Sequence, residues 1–132
     1  MPRTIQIAAS LPASSDRLFD MYLDPEIHAA ITGAPVTIGV TPGSEFQAFD
    51  GMLSGTILQV MAKRLIVQSW RAGHWPTDVI DSTLILTFWP EGENSGRIEL
   101  THVNVADDDF AGVSQGWEEY YWVPWRNYLE RK

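Results

Sequence analysis

The chain has 132 residues, of which 45% are hydrophobic and 20% charged, so it has the material for one packed domain. This composition excludes intrinsic disorder, collagen-like repeats and coiled coils. The 17 acidic and 9 basic side chains leave a net charge of −8 and no basic cluster, which argues against nucleic acids and anionic membranes as partners. The absence of cysteine excludes disulfides, thiolate metal sites and cysteine nucleophiles.

The first quarter of the chain predicts one strand followed by two short helices. Polar and apolar residues alternate from Thr4 to Leu11, which is the period of a half-buried strand. Apolar residues then recur at helical spacing behind Ser14, a residue type that favours the N-cap. Asp24-Pro25-Glu26 predicts the start of a second helix, because it combines a cap, a proline and an acidic residue, and Gly33 predicts its end.

The middle of the chain predicts a meander of antiparallel strands. Short connections without an intervening helix favour antiparallel neighbours, and Asp50-Gly51 is the strongest hairpin signal. The six predicted strands are Val36–Val40, Glu45–Phe49, Leu53–Met61, Leu65–Arg71, Ile80–Trp89 and Arg97–Val105.

The last segment, Asp107 to Lys132, predicts a long helix. Its apolar stripe, at steps of three or four residues, consists of Phe110, Val113, Trp117, Tyr121, Trp125 and Tyr128. The three aspartates at its start, Asp107, Asp108 and Asp109, are interpreted as a charge cap on the helix dipole. Pro124 predicts a kink, because it removes one backbone donor.

Neither a secretion signal nor a membrane-spanning segment is expected. The first ten residues alternate and form no unbroken apolar signal core. No apolar run approaches the roughly 18 residues that a membrane helix needs. We therefore expect a soluble, cytoplasmic protein with a single domain over residues 1–132, either monomeric or homodimeric.

The best match to a catalytic motif is the G-x-S-x-G string around Ser114, the pattern of a nucleophile elbow. That motif needs a strand before the serine and a histidine later in the chain. Here Ser114 falls inside a predicted helix, and no histidine follows His102. The neighbouring Glu118 and Glu119 would point about 100° apart on a helix and cannot converge on one atom. The sequence offers no complete catalytic constellation, so a protein without enzymatic activity is expected.

The three histidines, His28, His74 and His102, lack the spacing of metal ligands, and neither a metal nor a cofactor is expected. His102 shares one face of its predicted strand with Ile98 and Leu100, which places it inward if that face is buried. Two interpretations of His102 stay open. It is either a core histidine hydrogen-bonded to a neighbour or a polar group in the wall of a cavity.

Aromatic side chains exceed what one helix face can bury. Six rings crowd the predicted C-terminal helix: Trp117, Tyr120, Tyr121, Trp122, Trp125 and Tyr128. Aromatic stripes at helical spacing more often belong to a core than to a ligand site. Since these rings occupy more than one face, some of them are expected at a pocket, a mouth or an interface.

Several strings occur in an order that resembles a known family. They are Asp24-Pro25-Glu26, Gly33-Ala34-Pro35, Phe49-Asp50-Gly51, Ser54-Gly55, the segment from Arg64 to Arg71, Trp75-Pro76, and the segment from Gly116 to Trp122. Together they make nearly the whole chain similar to the C-terminal domain of the ATPase activator of the 90-kilodalton heat-shock chaperone, within the START-like (SRPBCC) superfamily. The resemblance implies an α+β helix-grip fold: a strand, two short helices, a six-stranded antiparallel meander, and a long C-terminal helix over the curved sheet.

The same resemblance implies a cavity between the long helix and the sheet, which in START-like domains often takes apolar molecules. The candidate cavity residues are Phe46, Trp70, Phe88, His102, Trp117 and Tyr121. The leading hypothesis is a non-enzymatic module for a small apolar ligand. The alternative is a protein-interaction module that contacts the heat-shock chaperone in a stress response, although the eukaryotic activator carries a further N-terminal domain for which we expect no room here. A START-like enzyme with His102 as general acid or base would lack its second catalytic group.

Overall fold

The computed structural model describes residues 2–131. Its N-terminal elements are β1 (Arg3–Leu11), α1 (Ser15–Leu23) and α2 (Pro25–Thr32). Five strands follow: β2 (Glu45–Ala48), β3 (Leu53–Met61), β4 (Leu65–Ala72), β5 (Ser82–Gly92) and β6 (Ser95–Val105). The chain ends in a continuous helical run, here called the C-terminal helix. It comprises a 3₁₀ turn (Asp107–Asp109), α3 (Phe110–Trp117), a π-helical segment (Glu118–Trp122) and α4 (Val123–Glu130).

The strands form one six-stranded antiparallel sheet in the order β1-β6-β5-β4-β3-β2, so the predicted α+β helix-grip fold is confirmed. Strands β2 to β6 are the meander, and β1 returns along the outer edge of β6. The predicted strand Val36–Val40 is not a strand. Only Thr37 pairs there, in a single bridge to Gln47, so the rest of the segment has no partner strand. The sheet therefore has six strands with β1 included, and the meander has five.

The two short helices begin and end where their capping residues predict. The hydroxyl of Ser14 accepts a hydrogen bond from the backbone of Arg17 at the start of α1. Asp24 accepts from the amides of Glu26 and Ile27 at 2.9 and 3.1 Å, which satisfies two free donors of α2. Gly33 ends α2 with a φ of 83°, a left-handed conformation that favours glycine.

The C-terminal helix differs from a regular α-helix over the five residues before Pro124. The amide of Val123 donates to the carbonyl of Glu118, five residues earlier, which is the bond of a π-helix. A kink was predicted at Pro124, since proline cannot donate and its ring crowds the carbonyl four residues back. The π-helical segment lies just before this proline and accommodates the missing bond. Because it adds a residue to the turn, Trp117 stacks on Trp122 with ring centres 6.0 Å apart.

The core lies between the sheet and the helices. Helix α1 packs on β5 and β6, where Phe19 meets Phe88 edge to face at 5.5 Å. The C-terminal helix contributes Val113, Trp117, Tyr121, Trp122 and Trp125, all buried. Arg126 donates to the carbonyl of Ser10 at 2.9 Å and so ties the end of this helix to β1. Within residues 2–131, none of the helices is long and apolar enough to cross a membrane.

Candidate functional site

A cavity of about 450 Å³ lies between the C-terminal helix and the end of the sheet formed by β3 and β4. Its lining comes from the β2–β3 turn, the two strands, the loop after β4 and the inner face of the helix. The lining residues are Phe49, Met52, Leu53, Trp70, Ala72, His74, Asp109, Gly112, Val113, Gly116, Trp117, Tyr120 and Tyr121. Five of them are aromatic, so the cavity is mostly apolar and is called the aromatic cavity below.

Three of the six predicted cavity residues meet in the wall of the aromatic cavity. Trp70 stands on β4, and its ring centre lies 6.4 Å from that of Trp117 on α3. Trp117 in turn lies 4.8 Å from Tyr121, one helical turn further along. All three side chains are at least nine-tenths buried. The alternation of β4 and the spacing of the helix therefore bring together residues that are up to 51 positions apart in sequence.

The other three predicted residues, Phe46, Phe88 and His102, do not line this cavity. Phe88 lies against Phe19 beneath α1, towards the other end of β5. Phe46 on β2 lies beside His28, with ring centres 6.3 Å apart. All three side chains are fully buried, and the inward orientation expected for His102 is observed. Their position along the strands, which alternation leaves undefined, places them in the core around the cavity.

His102 is held behind the cavity wall by a hydrogen-bonded chain. Trp117 donates its indole N–H to Nδ1 of His102 at 3.3 Å. Since Nδ1 accepts, Nε2 carries the proton and donates to the hydroxyl of Ser82 at 2.8 Å, which donates onward to the carbonyl of Trp70 at 2.6 Å. Burial lowers the pKa of His102 to about 3, so the ring is neutral. Both ring nitrogens are occupied, as the core-histidine interpretation requires.

A second buried polar chain supports Tyr121 from the opposite side. Nδ1 of His28 lies 2.8 Å from the carbonyl of Tyr22, so Nδ1 donates and Nε2 accepts from the hydroxyl of Tyr121 at 2.9 Å. The hydroxyl of Tyr22 donates to Gln68 at 2.6 Å. Burial lowers the pKa of His28 to about 4, although its bond to the Tyr22 carbonyl acts in the opposite direction. Burial also raises the pKa of Tyr121 well above its ordinary value. The cavity wall is thus anchored by two neutral histidines.

The mouth of the aromatic cavity carries exposed apolar side chains. Met52 and Tyr120 are 58% and 52% exposed, and Phe49 packs edge to face on Tyr120 and on Tyr121. Phe49 has a φ of 53°, which is uncommon for a bulky residue, and Asp50 and Gly51 follow with φ values of 56° and 87°. This tight turn holds the Phe49 ring over the opening. The sequence signalled the turn at Asp50-Gly51, but not that the residue before it would reach the helix.

Part of the rim is polar, and the sequence did not predict it. Oδ2 of Asp109 accepts from the indole N–H of Trp75 at 2.8 Å and lies 3.1 Å from Nε2 of His74. Asp109 was interpreted as part of a charge cap, but its side chain makes no capping hydrogen bond to α3. It turns instead towards the loop after β4. Arg71 holds that loop in place, because its guanidinium donates to the carbonyls of Trp75, Pro76 and Val79.

The two remaining candidates from the sequence are a serine nucleophile and a metal site. Ser114 lies in the middle of α3, without the strand-turn-helix geometry of a nucleophile elbow. In the part of the chain that the structure describes, no three His, Asp or Glu side chains are grouped as metal ligands would be. The described geometry is an apolar cavity with one carboxylate and one imidazole at its rim.

Comparison with protein families identifies the group to which the chain belongs. Residues 12–128 match the family described as "Activator of Hsp90 ATPase homolog 1-like protein". The match covers every element from α1 to most of α4. The chain belongs to this family. The resemblance seen in the sequence motifs is thereby confirmed, and with it the START-like relationship.

Two relatives indicate how far the similarity to this activator family extends. The human activator of 90 kDa heat shock protein ATPase homolog 1 is 28% identical over 118 residues, which make up 89% of this chain and 34% of the human protein. An HSP90 activator from Plasmodium falciparum has the same fold, with a TM-score of 0.88 over 96% of this chain and 95% of that one, at 19% identity. The chain spans about a third of the length of the curated relatives it matches.

A further structural relative is not named as a chaperone activator. CalU16 from Micromonospora echinospora is 26% identical, with a TM-score of 0.74 over 90% of this chain and 71% of that structure. The fold is thus shared by proteins that are named as chaperone activators and by others that are not. Fold membership by itself assigns no ligand or reaction.

Proposed function

We propose that this member of the activator family binds a small apolar molecule in the aromatic cavity and does not convert it chemically. The observation that carries the proposal is the cavity itself. Its volume of about 450 Å³ falls within the range of roughly 300–1,000 Å³ that is usual for small-molecule sites. Its wall is built from Trp70, Trp117 and Tyr121, whose flat faces offer large apolar contact area.

The hydrogen bonding of the wall supports binding over catalysis. His102 and His28, the two buried histidines, use both ring nitrogens to hold neighbouring groups. The hydroxyl of Tyr121 is engaged by His28. General acid–base catalysis needs a group that reaches the substrate and titrates near the working pH. The low pKa values of both histidines favour a fixed, neutral scaffold.

Titration with the neutral fluorescent probe N-phenyl-1-naphthylamine tests this proposal. Gly116→Leu adds a bulky side chain to the cavity wall at a site where a Cβ meets only the ring of Tyr120, at 3.5 Å. We expect saturable one-to-one binding to the parent protein and at least about tenfold weaker binding to Gly116→Leu, because the added carbons occupy ligand space. Gln115→Leu, the same residue type placed on the exposed face of α3, is the matched control and should bind as the parent does. Non-saturable binding, or equal affinity in all three proteins, would overturn the proposal.

The second candidate function is contact with the 90-kilodalton heat-shock chaperone. Membership of the activator family supports it, and so do Met52 and Tyr120, two exposed apolar side chains that both line the cavity. Co-elution with the chaperone of the same organism at micromolar concentration tests this function. We expect a complex that Tyr120→Ser weakens and that Glu93→Gln, at the opposite end of the sheet, leaves unchanged. Separate elution would contradict it.

A further inference from the structure

The carboxylate that lines the aromatic cavity belongs to Asp109, and its two oxygens differ in their hydrogen bonding. Asp109 accepts from Trp75 and meets His74 through the same oxygen, Oδ2. No described residue donates a hydrogen bond to Oδ1. A carboxylate can accept at about four lone-pair positions, so half of the capacity of Asp109 is unused. Its side chain is 25% exposed, which leaves it partly desolvated and open to the cavity.

Gly112 keeps the space beside the free oxygen open. A Cβ at this position would lie 3.2 Å from Oδ1 of Asp109, and no other atom outside the local helix backbone lies within 4 Å of it. Gly112 also lines the cavity. A hydrogen-bond donor on a bound molecule could therefore reach Oδ1 through the space that a side chain at position 112 would fill.

The charges around the rim favour a cation over an anion. Asp107 and Asp108 precede Asp109 in the same 3₁₀ turn, and the whole chain has a net charge of −8. Arg3 lies 4.0 Å from Asp107 and the imidazole of His74 lies 3.1 Å from Asp109, but these two side chains are 56% and 63% exposed, so solvent screens any charge on them. The guanidinium of Arg71 is occupied by the loop carbonyls and by Asp81 at 3.2 Å. An anionic headgroup at Oδ1 would face a carboxylate without a free cation to offset it.

We propose that the ligand of the aromatic cavity is a cationic amphiphile: an aromatic or other apolar body held against Trp70 and Trp117, carrying a protonated amine that donates to Oδ1 of Asp109. This inference rests on the proposed function, because it names the class of molecule that the same cavity selects. A charge-assisted hydrogen bond in a partly buried site is stronger than a neutral one, so it supplies selectivity among ligands of equal size. The apolar body supplies most of the affinity.

Three naphthalene probes of nearly equal size test the inference by calorimetric titration at 0.15 M salt. They are 1-naphthylmethylamine, which is a cation at neutral pH, the neutral 1-naphthalenemethanol, and the anion 1-naphthoate. We expect the amine to bind about tenfold more tightly than the alcohol. The anion should bind most weakly. Equal affinity of the amine and the alcohol would overturn the inference and leave the apolar cavity standing, whereas no binding of any probe would overturn both proposals.

Two variants that each remove one negative charge distinguish a direct contact with Asp109 from long-range electrostatic attraction. Asp109→Asn keeps an oxygen that can accept from Trp75 and should reduce the preference for the amine over the alcohol to about one. Asp108→Asn, one residue earlier and exposed, should keep the preference. If Asp108→Asn lowers the preference as much as Asp109→Asn does, selection arises from the diffuse field of the acidic turn and the proposed contact is wrong. His74→Ala removes the imidazole that contacts Oδ2 of Asp109 and should not lower the preference for the amine.

Discussion

The indole N–H of Trp117, a residue of the cavity wall, donates to Nδ1 of His102, which itself lies behind the wall. The geometry of the site thus depends on a buried polar chain that also includes Ser82 and the carbonyl of Trp70. Both tryptophans of the wall are attached to this chain, one through its side chain and one through its backbone. The wall of the aromatic cavity is therefore apolar, while buried hydrogen bonds hold it in position.

Removal of the His102 ring should destabilise the fold. His102→Ala leaves the N–H of Trp117 and the hydroxyl of Ser82 short of a partner and opens a hole in the core. We expect the free energy of unfolding to fall by about 3 kcal/mol. Urea unfolding measures this loss, with His74→Ala as control, since an exposed ion pair contributes little. A loss of less than about 0.5 kcal/mol in His102→Ala, the level of an ordinary surface change, would contradict the polar-chain interpretation.

The two buried histidines predict a loss of stability as the pH falls. Their folded pKa values, about 4 for His28 and about 3 for His102, lie below the ordinary value of 6.5. As the pH falls, the two histidines therefore take up protons at a higher pH in the unfolded chain than in the folded one. Their contribution to the free energy of unfolding is complete above pH 6.5 and declines as the pH falls towards the folded pKa values. Each histidine should account for about 2 kcal/mol between pH 6.5 and pH 5.

Comparison of the parent with His28→Gln isolates this pH effect from that of the carboxyl groups. The variant should be less stable at pH 7, because it loses the bonds to Tyr22 and Tyr121. The difference between the two proteins should shrink by about 2 kcal/mol at pH 5, because only the parent loses stability through His28. Urea midpoints at the two pH values measure the difference. An equal difference at pH 7 and pH 5 would show that the pKa of His28 is not lowered in the folded protein.

The left-handed backbone at Phe49 predicts an unusual order of stability between two variants. Both Phe49→Ala and Phe49→Gly lose the ring that packs on Tyr120 and Tyr121. At a φ of 53°, however, alanine keeps the steric cost of the left-handed region and glycine does not. The glycine variant should be more stable than the alanine variant by about 1 kcal/mol. Thermal or urea unfolding compares them directly, and the reverse order would contradict the turn geometry.

Two Gly→Ala substitutions should have opposite effects. At Gly55 on β3, a Cβ would lie 1.9 Å from the backbone carbonyl oxygen of Ser69 on β4, so the strands must separate. Gly55→Ala should cost at least about 2 kcal/mol. At Gly116 in α3, a Cβ meets only the ring of Tyr120 at 3.5 Å, and alanine favours the helix by about 0.5–1 kcal/mol. Urea unfolding of both variants tests the pair, and a neutral Gly55→Ala would show that the close strand approach is absent.

Local signals predicted most of the fold. The caps at Ser14 and Asp24, the stop at Gly33 and the turn at Asp50 each depend on bonds within a few residues, so the sequence specifies them directly. The prediction of a strand over Val36–Val40 was wrong, because a strand needs a partner along its length and this segment forms only one bridge to β2. The π-helical segment could not be predicted either, since a proline allows a kink, a break or a wider turn.

The site was predicted only in part, for a similar reason. Strand alternation placed His102 on an inward face, but alternation does not define the position along the strand, and His102 lies behind the cavity wall. Of the strand residues that the resemblance placed in the cavity, Phe46, Trp70, Phe88 and His102, only Trp70 lines it. Asp109 was overlooked because three successive aspartates before a helix resemble a dipole cap. Its contact with Trp75 joins positions 34 residues apart and has no local sequence signal.

The measurement that most directly tests the proposed cavity follows the indole N–H signals of ¹⁵N-labelled protein during titration with 1-naphthalenemethanol. If the aromatic cavity takes the ligand, the signals of Trp70 and Trp117 shift together and saturate. The signal of Trp89 stays in place, since that ring is 44% exposed and its N–H bonds to Thr87 on the sheet. Shifts at Trp89 without any at Trp70 or Trp117, or no saturable shift up to the solubility limit of the probe, would contradict binding in the cavity.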